Sequence, residues 1–144
     1  MTLGSSKACT LLPGKRRILL PLAYMTGIFL LSSIPDTGVI DEGFSLEYLL
    51  QWVAPDIQNI LHIPLFGGLA WCWYWALQEW TENFPTQIIT PLIVCSIFSV
   101  FDEIYQLSVP GRFGSLSDLS LNFLGIVLML SGLIFYHKQY KPQK

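Results

Sequence analysis

An all-α integral membrane protein with four transmembrane helices is the fold that this sequence predicts, and three observations carry the prediction. The 144 residues include only 8 Lys plus Arg and 10 Asp plus Glu, so 12% are charged, against about 25% in a soluble domain. The hydrophobic fraction is 52% and the mean hydropathy is +0.50. The basic residues are also segregated: Lys7, Lys15, Arg16 and Arg17 precede the apolar region, Lys138, Lys141 and Lys144 follow it, and Arg112 alone lies between. Finally, four nearly uncharged runs separate the acidic patches and leave no polar faces for the outside of a soluble bundle. The same balance excludes a disordered tail, a nucleic-acid binder and a disulfide scaffold. The length allows one domain, residues 1–144.

The first run, 18–34, has 17 uncharged residues and reaches about 26 Å as a helix, slightly short of a ~30 Å hydrocarbon core. Its basic start resembles a signal peptide. Its apolar run, however, exceeds the roughly 7–15 residues of such a segment, and Ser32-Ser33-Ile34-Pro35-Asp36 has no small-x-small cleavage pattern, so it reads as a retained anchor. The second run, 60–77, contains one ionisable residue, His62, and ends in Trp71, Trp73, Tyr74 and Trp75, which suit a headgroup belt. A third span is expected at about 88–105, tolerating Pro91, and a fourth at 118–136, interrupted by Asn122, glycines and serines.

Lys and Arg flanking a span are retained inside, so both termini are predicted to be cytoplasmic, which requires an even number of spans. The connections 32–59 and 102–117 then face outward, and 78–87 faces the cytoplasm. In the first outward connection Phe44, Leu46, Leu49, Leu50 and Val53 fall roughly at helical spacing. They predict either an interfacial helix on the outer leaflet or a loop segment packed on the bundle. Cys9, Cys72 and Cys95 have neither an oxidising location nor metal-type spacing and read as packing residues. With no zinc pattern, phosphate-cradling glycine loop or nucleophile elbow in the chain, neither a metal nor a cofactor is expected.

The second outward connection is the densest polar run in the protein. If the third helix continues past Phe101, Asp102 and Gln106 share one face with Glu103 beside them. Two carboxylates there meet the negative end of the helix dipole, unfavourable by about 0.3–1 kcal/mol each, so another contact is needed to offset them. Val109-Pro110-Gly111-Arg112 fits a type II turn that can fold Arg112 back toward Asp102 or Glu103. Arg112 then either pins the loop by a salt bridge or holds an anionic ligand with its planar fork. Ser115 followed by Asp118 has the form of a capping box, and Asn122 one turn deeper is either interhelical glue or part of a pocket. His62 is either a snorkelling interfacial residue or a member of the same cluster. His62, Asp102, Glu103, Gln106, Arg112, Asp118 and Asn122 fall at one depth on one side, which favours a binding or catalytic pocket.

The string Asp102-Glu103-x-x-Gln106-x-x-x-Pro110-Gly111-Arg112-x-Gly114-Ser115-x-x-Asp118-x-x-x-Asn122-x-x-Gly125, with His62-x-x-x-Phe66 opening an earlier span, resembles the signature of the VanZ-like membrane protein family. The motif covers about 24 residues of the chain, and the four-span layout covers nearly all the rest. The resemblance implies a small protein of the bacterial cytoplasmic membrane, whose family namesake is associated with low-level teicoplanin resistance through the cell envelope. Relatives often carry an acidic-Lys pair just before the His, where this chain has Gln58-Asn59.

Three functional readings follow. In the first, the outward site binds an anionic lipid-linked envelope molecule: Arg112 grips the anion, Asp102, Glu103 and Gln106 orient Arg112, and Asp118 with Asn122 closes the pocket. In the second, a small membrane hydrolase or transferase uses His62 as general base, with Asp102 or Glu103 orienting it or acting as the acid. In the third, the polar cluster only ties helix ends together. Membrane lipids or lipid-linked precursors are the expected partners, and nucleic acid is not.

Overall fold

A computed structural model describes residues 14–35, 55–112 and 114–140, and these are helical with no strand. A 3-10 turn, Gly14–Ile18, leads into α1 (Leu19–Ser32), followed by α2 (Pro55–Leu77), α3 (Phe84–Gln106) and α4 (Leu116–Tyr140). The expected helix over 44–53 and Cys9 lie outside the described residues.

α1 stops just inside the expected 18–34, whereas α2 starts before 60, and α3 and α4 run past both ends of 88–105 and 118–136. Backbone hydrogen bonding continues through the interface, where side chains turn polar. Proline marks two of the starts: α2 begins at Pro55, and α3 carries Pro85 in its first turn, where the missing N–H has no intrahelical partner to lose. Ile60–Leu77, Phe84–Gln106 and Leu116–Tyr140 are each long and apolar enough to cross a membrane.

Side-chain contacts at the two ends give the helix directions. At one end Arg17 forms an ion pair of 2.6 Å with Glu79, just beyond α2, and lies 4.6 Å over the Trp75 ring. There too Phe84, at the start of α3, stacks on His137 near the end of α4, with ring centroids 3.6 Å apart. At the other end the last residues of α1 and α3 meet the first turns of α4 and His62 of α2. The four helices therefore alternate up and down, and Gly14 and Tyr140 come to the same end.

The pattern of burial is inverted relative to a soluble bundle. On α3 the buried face includes Gln87, Ser99, Asp102, Glu103 and Gln106, whereas Ile89, Ile93, Ile97, Val100, Phe101 and Ile104 are exposed. Exposed Phe123, Leu124, Val127, Leu128 and Phe135 repeat that arrangement on α4. Apolar side chains facing outward over two helices, with ionisable ones facing inward, require a hydrocarbon surround. The chain is a multi-pass membrane protein.

Phe66, Leu69, Ala70, Cys95, Ile126 and Leu130 form the apolar centre. Cys72 and Cys95 are free and buried, as packing residues should be. α2 and α4 approach backbone to backbone. A Cβ on Gly67 would lie 3.1 Å from the Gly125 carbonyl oxygen, and a Cβ on Gly125 would overlap the Ile63 carbonyl. Small residues allow this close crossing, and van der Waals packing at short range holds helices together where lipid is as apolar as they are.

Candidate functional site

The C-terminal half of α3 supplies the polar centre of the molecule. Asp102, Glu103 and Gln106 are 1%, 6% and 4% exposed, so the two carboxylates are committed to the interior and must find donors there. They find them on different neighbours.

Glu103 faces α4. Its Oε1 accepts from Asn122 Nδ2 at 3.2 Å, and its Oε2 accepts from the Ser115 backbone N–H at 3.1 Å. Asn122 is fully buried, and its Oδ1 lies 2.8 Å from His62 Nδ1. Three helices are thus linked by one chain of contacts. The expected capping box forms by half: the Asp118 N–H donates to Ser115 Oγ at 3.1 Å, but the Ser115 N–H is taken by Glu103 from another helix, leaving Asp118 Oδ1 buried without a hydrogen-bond partner.

Asp102 faces α1. Ser32 Oγ donates to its Oδ2 at 2.9 Å, and Gln106 Nε2 donates to the same oxygen at 3.0 Å. Asp102 Oδ1 and Ser99 Oγ, one turn earlier, are buried without partners. Ser33 Oγ and Tyr105 Oη, 3.1 Å apart, continue the α1–α3 contact, backed by Phe29, whose ring centroid lies 4.4 Å from that of Tyr105. Ser32, Ser33 and Tyr105 are members of the cluster that sequence reasoning missed. The two serines sat in what looked like the exit of the first span, and nothing local marked them as partners of α3.

The turn before Arg112 forms as predicted: the Arg112 N–H donates to the Val109 carbonyl at 3.1 Å, and Gly111 has φ 78°, as the third residue of a type II turn requires. It does not deliver Arg112 to a carboxylate. Arg112 Nε donates to the Ile34 carbonyl at 3.2 Å and Nη2 to the Leu31 carbonyl at 2.9 Å. Both are carbonyls at the C-terminal end of α1, where the helix runs out of its own donors; the Leu31 carbonyl also accepts the Ile34 N–H at 3.3 Å. The expected salt bridge with Asp102 or Glu103 is replaced by a charged cap on a helix end, where a cation also meets the negative pole of the dipole. Gln106 and Asp102 accordingly do not orient Arg112.

Arg112 holds carbonyls on either side of Ser32, the donor to Asp102, while His62 reaches Glu103 through Asn122 and Asp118 shares Ser115 with Glu103, so all seven predicted residues belong to one end of the bundle. The hydrogen bonds divide them into a His62–Asn122–Glu103–Ser115 chain and an Asp102–Gln106–Ser32 group, with Arg112 beside α1 and Asp118 beside Ser115. Among the described residues, no group of three or more His, Cys, Asp or Glu is arranged to hold a metal ion. Gln58 and Asn59, which stand where an acidic-Lys pair was expected, lie outside the described side chains.

Comparison with curated proteins and with solved structures gives no match. A family model does: the one described as VanZ/LLP1 matches residues 9–137, which include every residue of the polar cluster. On that match, and with the cluster assembled at one end of a helical membrane bundle, the chain belongs to the VanZ/LLP1 family.

Proposed function

We propose that the polar cluster is an extracytoplasmic site for the head of an anionic lipid-linked cell-envelope molecule, and that occupancy of this site is how the protein contributes to glycopeptide (teicoplanin) resistance. The observation that carries the reading is Arg112. Two of its nitrogens are fixed on α1 carbonyls, which orients the guanidinium. Its Nη1 has no partner among the described residues and keeps its N–H groups for a phosphate or carboxylate. A lysine in its place keeps the charge but offers a single nitrogen, without the planar fork whose separate nitrogens meet two carbonyls and a ligand anion.

The orientation rests on the terminal Lys and Arg residues together with the shared end of Gly14 and Tyr140, giving four spans with both termini in the cytoplasm of a bacterial membrane. α1 has 14 residues, about 21 Å of helix. The 3-10 turn ahead of it carries Lys15, Arg16 and Arg17 and lies at the interface, so α1 spans less than the ~30 Å of the hydrocarbon core, a mismatch met by local thinning and snorkelling of those side chains. Dual-reporter fusions after Arg17, Glu79 and the C-terminus test this, with all three expected inside.

A second reading, a membrane hydrolase or transferase with His62 as general base, is favoured by one observation: Nδ1 of His62 is held by Asn122, which Glu103 holds in turn, the arrangement of a base with an orienting group behind it. The deciding experiment is the teicoplanin inhibitory concentration of a susceptible host expressing wild type, Arg112→Lys or Arg112→Ala at matched membrane levels. Protection by wild type and loss in both variants is expected. Full protection by both variants rules out the anion-binding reading.

A further inference from the structure

We infer that Asn122 is a positioning residue that holds His62 with Nδ1 protonated and Nε2 bare, so that the site takes an anionic headgroup bearing a hydrogen-bond-donating hydroxyl.

The inference follows from counting donors along the chain of contacts, starting at its one unambiguous end. The Ser115 backbone N–H is a donor, so Glu103 Oε2 accepts it at 3.1 Å. With Glu103 ionised, the other oxygen of the same carboxylate, Oε1, is an acceptor too, and it faces Asn122 Nδ2 at 3.2 Å. An amide oxygen turned toward that carboxylate would set two acceptors against each other in a fully buried place. The Asn122 amide therefore has one orientation, with its nitrogen toward Glu103 and Oδ1 toward His62. Oδ1 can only accept, so His62 Nδ1, 2.8 Å away, carries the hydrogen. In a neutral imidazole one nitrogen donates and the other accepts, which leaves Nε2 with a free lone pair. It has no hydrogen-bond partner among the described residues.

The groups that meet Glu103 are the Ser115 N–H just ahead of α4 and the Asn122 amide on α4, with His62 of α2 behind Asn122, Asp118 held by Ser115 and Asp102 adjacent on α3. None of the other carboxylates lies between Glu103 and Asn122, so the orientation of the amide is set by the one contact. A bare nitrogen repels phosphate oxygens and attracts a hydroxyl hydrogen. With Arg112 supplying the donor for the anion, the two residues together select a ligand that has both groups, such as a glycerol or sugar phosphate on a lipid anchor. This last step rests on the anion-binding reading above, whereas the state of His62 does not.

Two measurements separate them. The full chain, labelled with 15N-histidine in nanodiscs and assigned with a His137→Gln control, is expected to give a protonated, pyrrole-type Nδ1 and an unprotonated, imine-type Nε2 for His62. Asn122→Ala and Glu103→Gln are expected to mix the two tautomers. A wild-type His62 protonated at Nε2 alone overturns the inference, and this holds even if no variant accumulates. In the second measurement, the solubilised chain is offered phosphatidylglycerol, phosphatidic acid and phosphatidylcholine in native mass spectrometry. Phosphatidylglycerol should be retained roughly 2- to 10-fold better than phosphatidic acid, the worth of one net hydrogen bond, and that preference should vanish in His62→Phe. Equal retention of the two anionic lipids overturns the hydroxyl assignment and leaves anion binding standing. Equal retention of all three overturns the anion-binding reading itself.

Discussion

Glu103→Ala is the substitution with the most definite energetic consequence. The side chain is 6% exposed and accepts from two donors, the buried Asn122 amide and the partly buried Ser115 N–H. Removing the acceptor leaves both donors without a partner, and an unsatisfied buried donor costs about 1–3 kcal/mol. Taking the middle of that range for Asn122 and its low end for Ser115 gives about 3 kcal/mol, and the unfolded chain in a bilayer also finds partners, so about 2–3 kcal/mol is expected. Glu103→Gln retains one carbonyl oxygen and turns an NH2 group on the second donor, so its loss should be about half as large. The assay is reversible unfolding in bicelles by SDS, comparing the midpoints of wild type, Glu103→Gln and Glu103→Ala, with stability in that order. A Glu103→Ala protein within ~0.5 kcal/mol of wild type, well below the effect of one orphaned buried donor, would refute the assignment of Glu103 as the shared acceptor.

Gly125→Ala should destabilise by about 1–3 kcal/mol, the usual effect of overpacking, because the new Cβ meets the Ile63 backbone and no rotamer can relieve that. The same unfolding assay checks it against Gly132→Ala, where nothing lies within 4 Å and a neutral or slightly favourable change is expected. Ser115→Ala removes the cap that holds the Asp118 N–H and should lower stability by about 1 kcal/mol, with fraying of the first turn of α4 visible as faster amide exchange. Arg112→Ala removes the side-chain donors to the Leu31 and Ile34 carbonyls, and amide exchange in the last turn of α1 should quicken while α2 and α4 are unchanged.

The helices were legible in the sequence because a membrane span announces itself by composition. Their ends were not, since Pro55 and Pro85 start helices at positions where hydropathy had already fallen. The cap at Ser115 was readable because a capping residue and its third neighbour are fixed by local geometry. Its missing partner was not, because the Ser115 N–H is satisfied by Glu103, 12 residues earlier on another helix. Likewise, shared depth could gather His62, Glu103 and Asn122 at one end of the bundle, but hydropathy carries no information about pairing across helices. Arg112 shows this most clearly. Two carboxylates nearby in sequence made an ion pair one of its two readings, yet its hydrogen bonds go to backbone carbonyls of α1, a class of partner that leaves no mark in a side-chain pattern.

The close crossing at Gly67 and Gly125 also divides the molecule into parts of unequal mobility. Where α2 and α4 touch at Gly67 and Gly125 the main chains approach so closely that a single Cβ added to Gly125 would overlap the Ile63 carbonyl, and neither glycine has a side chain whose change of rotamer could loosen the contact. His62 and Asn122, just outward of that crossing, ride on one stiff frame. α1 is fastened to the rest by side chains: at one end by Ser32, Ser33 and Arg112, and at the other by the Arg17–Glu79 pair ahead of its first turn. Such fastenings can open and re-form one at a time. Loosening of α1, with Arg112 as its latch, is therefore the motion that parts side chains while leaving the α2–α4 crossing in place.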